Sequence, residues 1–138
     1  ITAEDPAEIV PVVNGRSLVD LVADFEKARR WELAGDYSGL VPASFSFGDL
    51  TQYYLGRAAR QWPGPGRAWL LGCDCGEVGC WPFDARIDVT DDLVLWQDFH
   101  QPHRAARDYR SFGPLVFDRS EYDRAVADAV AALGADRS

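Results

Sequence analysis

At 138 residues, 47% apolar and 26% charged, the chain has the size and composition of a globular domain and lacks the low-hydropathy signature of disorder. Its net charge of −8, from 22 acidic against 14 basic side chains, repels phosphate backbones and anionic lipid surfaces. Nucleic acid and membrane are therefore set aside as partners, while a basic protein partner, a metal ion or a small molecule stays open.

Residues 1–8 read as a flexible lead-in to a single domain over 9–138. Ile9-Val10-Pro11-Val12-Val13 followed by Asn14-Gly15 reads as a short edge strand entering a tight turn, the proline being tolerated only at an edge. Ser17-Leu18-Val19-Asp20 has the form of a capping box, and Leu18, Leu21, Val22, Phe25 and Ala28 then share one face of a helix expected near 18–31. Gly35, Gly39 and Pro42 break the next stretch, and Trp62-Pro63-Gly64-Pro65-Gly66 closes it with a loop. Within it Ser44-Phe45-Ser46-Phe47 alternates like a strand, while 50–59 fits a strand or a short helix equally.

Arg67 to Cys73 is an apolar run of strand length. Trp81, Phe83, Ala85, Ile87 and Val89 then alternate with Pro82, Asp84, Arg86, Asp88 and Thr90, the pattern of a half-buried strand near 81–90. Asp91-Asp92 turns the chain into a further strand near 93–99, and Leu115-Val116-Phe117 forms a last short one. Asp118-Arg119-Ser120-Glu121 is a second capping box, opening a helix near 119–134 with Tyr122, Val126, Ala129, Val130 and Leu133 on one face. A central antiparallel meander packed by two amphipathic helices defines an α+β fold. Among the five tryptophans, Trp62 in its Pro/Gly loop is the one expected at the surface, as a contact residue for a partner.

All three cysteines fall within Cys73-Asp74-Cys75-Gly76-Glu77-Val78-Gly79-Cys80. Regular pairing about the Asp91-Asp92 turn would set Val89 opposite Val94, Ile87 opposite Trp96, Phe83 opposite His100 and Cys80 opposite His103. Pairing Cys73 with Cys80 across the cysteine turn would gather Cys73, Cys75, Cys80 and His103 at one end of the meander. Three thiolates and an imidazole form a tetrahedral zinc set, and glycines at 72, 76 and 79 let the backbone bend around an ion. The same residues also fit a hairpin of packed thiols, a Cys73–Cys80 disulfide, or a Cys80 nucleophile activated by His103 with Asp84 or Asp108 as orienting carboxylate. Asp91-Asp92 reads as a solvated turn, and His100-Gln101-Pro102-His103-Arg104 as a polar loop holding both histidines.

The run Leu70-Leu71-Gly72-Cys73-Asp74-Cys75-Gly76-Glu77-Val78-Gly79-Cys80-Trp81-Pro82 resembles the signature of a group of small bacterial proteins, often actinobacterial. Trp96 to Arg104 and Phe112 to Arg119 resemble later segments of the same group, so the likeness extends over most of the chain from about Ile9 onward. It implies a site residue, His103 within Pro102-His103-Arg104, and transfers no activity. The expectation is a non-enzymatic binding or interaction domain with a structural cysteine turn that would take zinc. A thiol- or metal-dependent enzyme using the cysteines with His103, and an acidic immunity-type protein neutralising a basic toxin, are the alternatives. Ile9 to Val13 is too short and too acidic in its flanks for a secretory signal, and three cysteines without an even disulfide framework suit the reducing cytoplasm.

Overall fold

A computed structural model describes residues 8–31, 34–42, 47–73 and 81–136. In chain order these form β1 (Val12–Val13), β2 (Arg16–Ser17), α1 (Leu18–Ala28), β3 (Tyr37–Ser38), α2 (Leu50–Tyr53), β4 (Arg67–Cys73), β5 (Phe83–Val89), β6 (Leu93–His100), a single 3-10 turn (Pro102–Arg104), β7 (Leu115–Asp118) and α3 (Arg119–Asp136). Strands β3-β4-β5-β6-β7 make one antiparallel sheet in that order, so the fold is α+β. Among the described residues no helix is long and apolar enough to cross a membrane. The chain divides into two compact units: Ile1–Phe45, Trp69–Phe83 and Gln101–Arg107 form the first, and Ser46–Ala68, Asp84–His100 and Asp108–Ser138 the second.

In the first unit β1 and β2 form a hairpin through Asn14-Gly15, whose φ angles of 52° and 82° are what a two-residue primed turn demands. Ile9 bridges Leu40, and a Cβ at Gly39 would lie 2.6 Å from the Ile9 carbonyl oxygen, so this approach requires glycine. Ser17 caps α1, its Oγ accepting from the Asp20 N–H at 3.1 Å. The helix stops short of the expected residue 31 because Arg29 caps it and Arg30 takes a left-handed φ of 57°. Its buried stripe is Leu18, Val22 and Glu26, four residues apart along one face. Tyr37 of β3 stands opposite Cys73 of β4. The apolar core of this unit gathers Leu18, Val22, Leu40, Leu70, Leu71 and Phe83, all fully buried.

In the second unit the ambiguous stretch at 50–59 opens as a single helical turn, α2, capped by Asp49. The expected strand at 44–47 falls mostly outside the described residues, and Phe47 itself is not in a strand. The β5–β6 hairpin turns at Asp91-Asp92, where Thr90 Oγ1 accepts from the Leu93 N–H at 2.9 Å. Val89 pairs with Val94 and Ile87 with Trp96, as regular hairpin counting expects. Beyond Gln97 the register slips: Asp98 adopts a left-handed φ of 54°, and His100 stands opposite Asp84, where unbroken pairing would put Phe83. Asp118 caps α3 through the Glu121 N–H at 3.0 Å. On that helix Tyr122 is buried, packing on Trp96 and Phe117, whereas Val130 is exposed, so the apolar face is narrower than its sequence period suggests. Trp62 is the exposed tryptophan, with the Arg60 guanidinium 3.7 Å above its ring centroid.

Ser17→Ala should lower the unfolding free energy by about 1 kcal/mol in urea titration. An unchanged midpoint would remove the cap from this account.

Candidate functional site

Glu26 sits on the apolar stripe of α1 with no solvent exposure. A carboxylate so placed has lost its hydration and must find donors within the protein. Two are supplied from other segments, and a buried guanidinium adds an opposite charge. The Gly35 N–H donates to Oε1 at 2.8 Å, and the Tyr37 hydroxyl donates to Oε2 at 2.9 Å. Arg107 Nη1 lies 3.2 Å from Oε2, an ion pair by distance, with the Arg107 side chain only 6% exposed. Gly35 reaches the carboxylate because it and Asp36 take left-handed φ angles of 82° and 66°.

The polar chain continues outward. Tyr37 has spent its proton on Glu26, so its oxygen accepts from Gln101 Nε2 at 3.0 Å. The other end of the same buried amide, Gln101 Oε1, accepts from the His103 N–H at 3.0 Å. Aromatic rings line this path. Trp81 donates its indole N–H to the Gly35 carbonyl at 2.9 Å, and its ring lies nearly parallel to that of His103, with centroids 6.4 Å apart and planes 12° from parallel. The Arg107 guanidinium is 5.1 Å from the Trp31 ring centroid and 5.6 Å from that of Trp81, and Arg104 is 5.0 Å from Trp81. Delocalised guanidinium groups stack well on such faces.

Of the residues expected to bind metal, Cys73 ends β4 as a half-buried residue opposite Tyr37, and His103 is exposed on the 3-10 turn. Cys75 and Cys80 lie outside the described residues, as do Asp74 and Glu77. Among the described residues no group of three or more His, Cys, Asp or Glu side chains is arranged to hold a metal ion. The facing once expected of Cys80 and His103 assumed regular pairing to the end of β6. Regular pairing ends at the bulge at Asp98 and the 3-10 turn at Pro102–Arg104; Cys80 itself lies outside the described residues, and His103 lies against Trp81, the residue that follows Cys80 in sequence. Glu26, Tyr37, Gln101 and Arg107 were not anticipated as a group. The spacing of Leu18, Val22 and Glu26 carried a signal for the first of them.

The second unit holds a separate charged cluster. Arg67 donates through Nε and Nη2 to Asp84 Oδ1 at 2.8 and 2.6 Å, and through Nη1 to Asp98 Oδ2 at 2.9 Å. The bulge also turns the Asp98 carbonyl onto Arg67 Nη2 at 2.6 Å. His100 Nδ1 is 3.6 Å from Asp84 Oδ2. These contacts engage Asp84 with Arg67 and His100, and Asp108, the other carboxylate considered for catalysis, brackets the Arg110 guanidinium. Asp91 and Asp92 are exposed, as a solvated turn requires.

Comparisons with protein-family models, with curated proteins and with solved structures find no match to this chain.

Burial pushes the Asp84 carboxyl above the usual carboxylate value, outweighing the opposite pull of Arg67 and His100. A raised value in the folded state means that folding favours the protonated acid, so this group's stabilising contribution is present at low pH and lost as pH rises through the folded value. The stability of the native sequence relative to Asp84→Asn should therefore fall as pH is raised from about 4, the ordinary carboxylate value. A relative stability that rises with pH in chemical denaturation would contradict this assignment.

Proposed function

We propose that this chain is an acidic, non-enzymatic binding domain of the cytoplasm, in which the cysteine turn is a structural zinc site formed by Cys73, Cys75, Cys80 and His103. The observation that carries the reading is the near-parallel packing of the His103 ring against Trp81, the covalent neighbour of Cys80. Pairing of Cys73 with Tyr37 supports it further, because Tyr37 is joined through Gln101 to the turn that bears His103. Thiolates at Zn–S distances near ~2.3 Å and one imidazole nitrogen near ~2.0 Å would complete a closed tetrahedral shell with no open position for substrate. A closed shell supplies folding energy and no reaction, which fits a binding role better than catalysis. Zinc ligation also needs reduced thiols, in keeping with a reducing compartment. The net charge of −8 favours a basic protein as partner, attracted electrostatically at low ionic strength.

Elemental analysis of protein purified without added zinc, paired with thiol titration, tests the metal. One zinc per chain is expected, with thiols shielded until a chelator is added and metal content reduced in His103→Ala. No zinc together with three freely reactive thiols would refute the zinc site.

A further inference from the structure

We propose that the loop after α2 is a docking surface for an acidic segment of a partner protein, in which Arg57 and Arg60 take carboxylates and Trp62 takes an adjoining apolar side chain. No acidic residue stands between Asp49 and Asp74, so this stretch is basic within a chain of net charge −8. One of its arginines, Arg67, is already committed to Asp84 and Asp98. Arg57 and Arg60 are exposed, and among the described residues no carboxylate pairs with either. Trp62 is exposed as well, with the Arg60 guanidinium 3.7 Å above its ring centroid. A guanidinium held over an aromatic face keeps the N–H groups along its edge available to a carboxylate, which accepts two of them in parallel.

The loop is held in shape from within by Gln61, which stands between the two presenting residues Arg60 and Trp62. Gln61 Nε2 donates to the Arg67 carbonyl at 2.7 Å and to the Tyr53 carbonyl at 3.4 Å, while Oε1 accepts from the Ala58 N–H at 2.9 Å. Its own carbonyl accepts from the Gly64 N–H at 3.0 Å, and the Arg57 N–H donates to the Gln52 carbonyl at 2.9 Å. Side chains carried on a loop already fixed in this way lose less freedom when a partner binds. Arginine and tryptophan are also the side chains that most often dominate binding energy at protein interfaces. The charge of the whole chain selects the occupant. Screening confines electrostatics to about 8 Å at physiological ionic strength, so a short segment with a few carboxylates responds to the local arginines. A nucleic acid would extend past them onto the acidic remainder of the surface. None of these residues belongs to the cysteine run or to the turn that bears His103, so the docking surface stands apart from the zinc reading.

A displayed library of random peptides, panned against the full chain, is the probe. Enrichment of peptides that carry Asp or Glu next to an apolar residue is expected, with affinity falling as salt is added. Arg57→Ala, Arg60→Ala and Trp62→Ala should each weaken an enriched peptide about 10-fold or more, the worth of one charge-assisted hydrogen bond or buried anchor. Arg60→Lys, which keeps the charge but lacks the planar fork, should weaken it in the same direction. Circular dichroism reports whether each variant keeps the fold. Failure to enrich acidic peptides, or native affinity in a folded Arg57→Ala or Arg60→Ala chain, would overturn the docking surface. Tighter, arginine-dependent binding of a labelled oligonucleotide would overturn it in favour of phosphate. Self-association of the native chain in sedimentation that is lost in Arg60→Ala would overturn it in favour of a second copy as occupant.

Discussion

Burial of the Glu26 carboxylate is the constraint on which the first unit depends. An ionised side chain stripped of water is tolerated only where donors and an opposite charge converge on it, and here they come from three places in the chain: the Gly35 amide and the Tyr37 hydroxyl donate, and the Arg107 guanidinium supplies the charge. Each of these groups fixes a segment with little regular structure of its own. Gly35 and Tyr37 define the path into β3, a strand of only two residues, and Arg107 fixes the segment that follows the 3-10 turn. The apolar side chains around them provide burial energy without direction, whereas the carboxylate specifies which loop goes where. A hydrophobic residue at position 26 could fill the space but could not choose these partners.

The second unit is organised differently. Its interior is aromatic, with Trp96 and Phe117 centroids 4.7 Å apart in an edge contact and the Trp96 indole donating to the Tyr122 hydroxyl at 3.1 Å. Tyr122 in turn donates to the Tyr54 carbonyl, so α3 is tied to the end of α2 by one buried phenol. Loss of a proton from that phenol is opposed by its burial, which raises its pKa well above the ordinary tyrosine value. At the bulge, a left-handed aspartate both slips the register and supplies two acceptors to Arg67, which also pairs with the buried Asp84.

Local signals in the sequence predicted local structure well. The apolar run Arg67–Cys73 is β4 residue for residue, and the hydroxyl and carboxylate caps at Ser17 and Asp118 both bind the N–H groups three residues on. The Asn14-Gly15 and Asp91-Asp92 turns follow from backbone preferences that act over two to four residues. What sequence patterning did not show depends on distant partners. A glutamate in a helix ordinarily reads as solvent-facing, and its burial makes sense only once Arg107, far along the chain, is brought to it. The Asp98 bulge has no composition cue, since aspartate tolerates a left-handed φ without announcing it, and one extra residue there was enough to change which side chain faces His100. For the cysteine run, the chemistry of the thiols was evident at once. What the fold adds is the arrangement around Cys73 and His103: a strand partner for one, and an aromatic platform with a buried amide for the other.

A double-mutant cycle on Glu26 and Arg107 tests the organising role of the buried carboxylate most directly. Unfolding free energies would be measured for Glu26→Gln, Arg107→Met and the pair together. Each single change strands a desolvated partner and is expected to cost about 3–5 kcal/mol, while the double change should cost clearly less than their sum. Strictly additive, small losses would show that the two charges fold independently, and the first unit would then need another explanation for its loops.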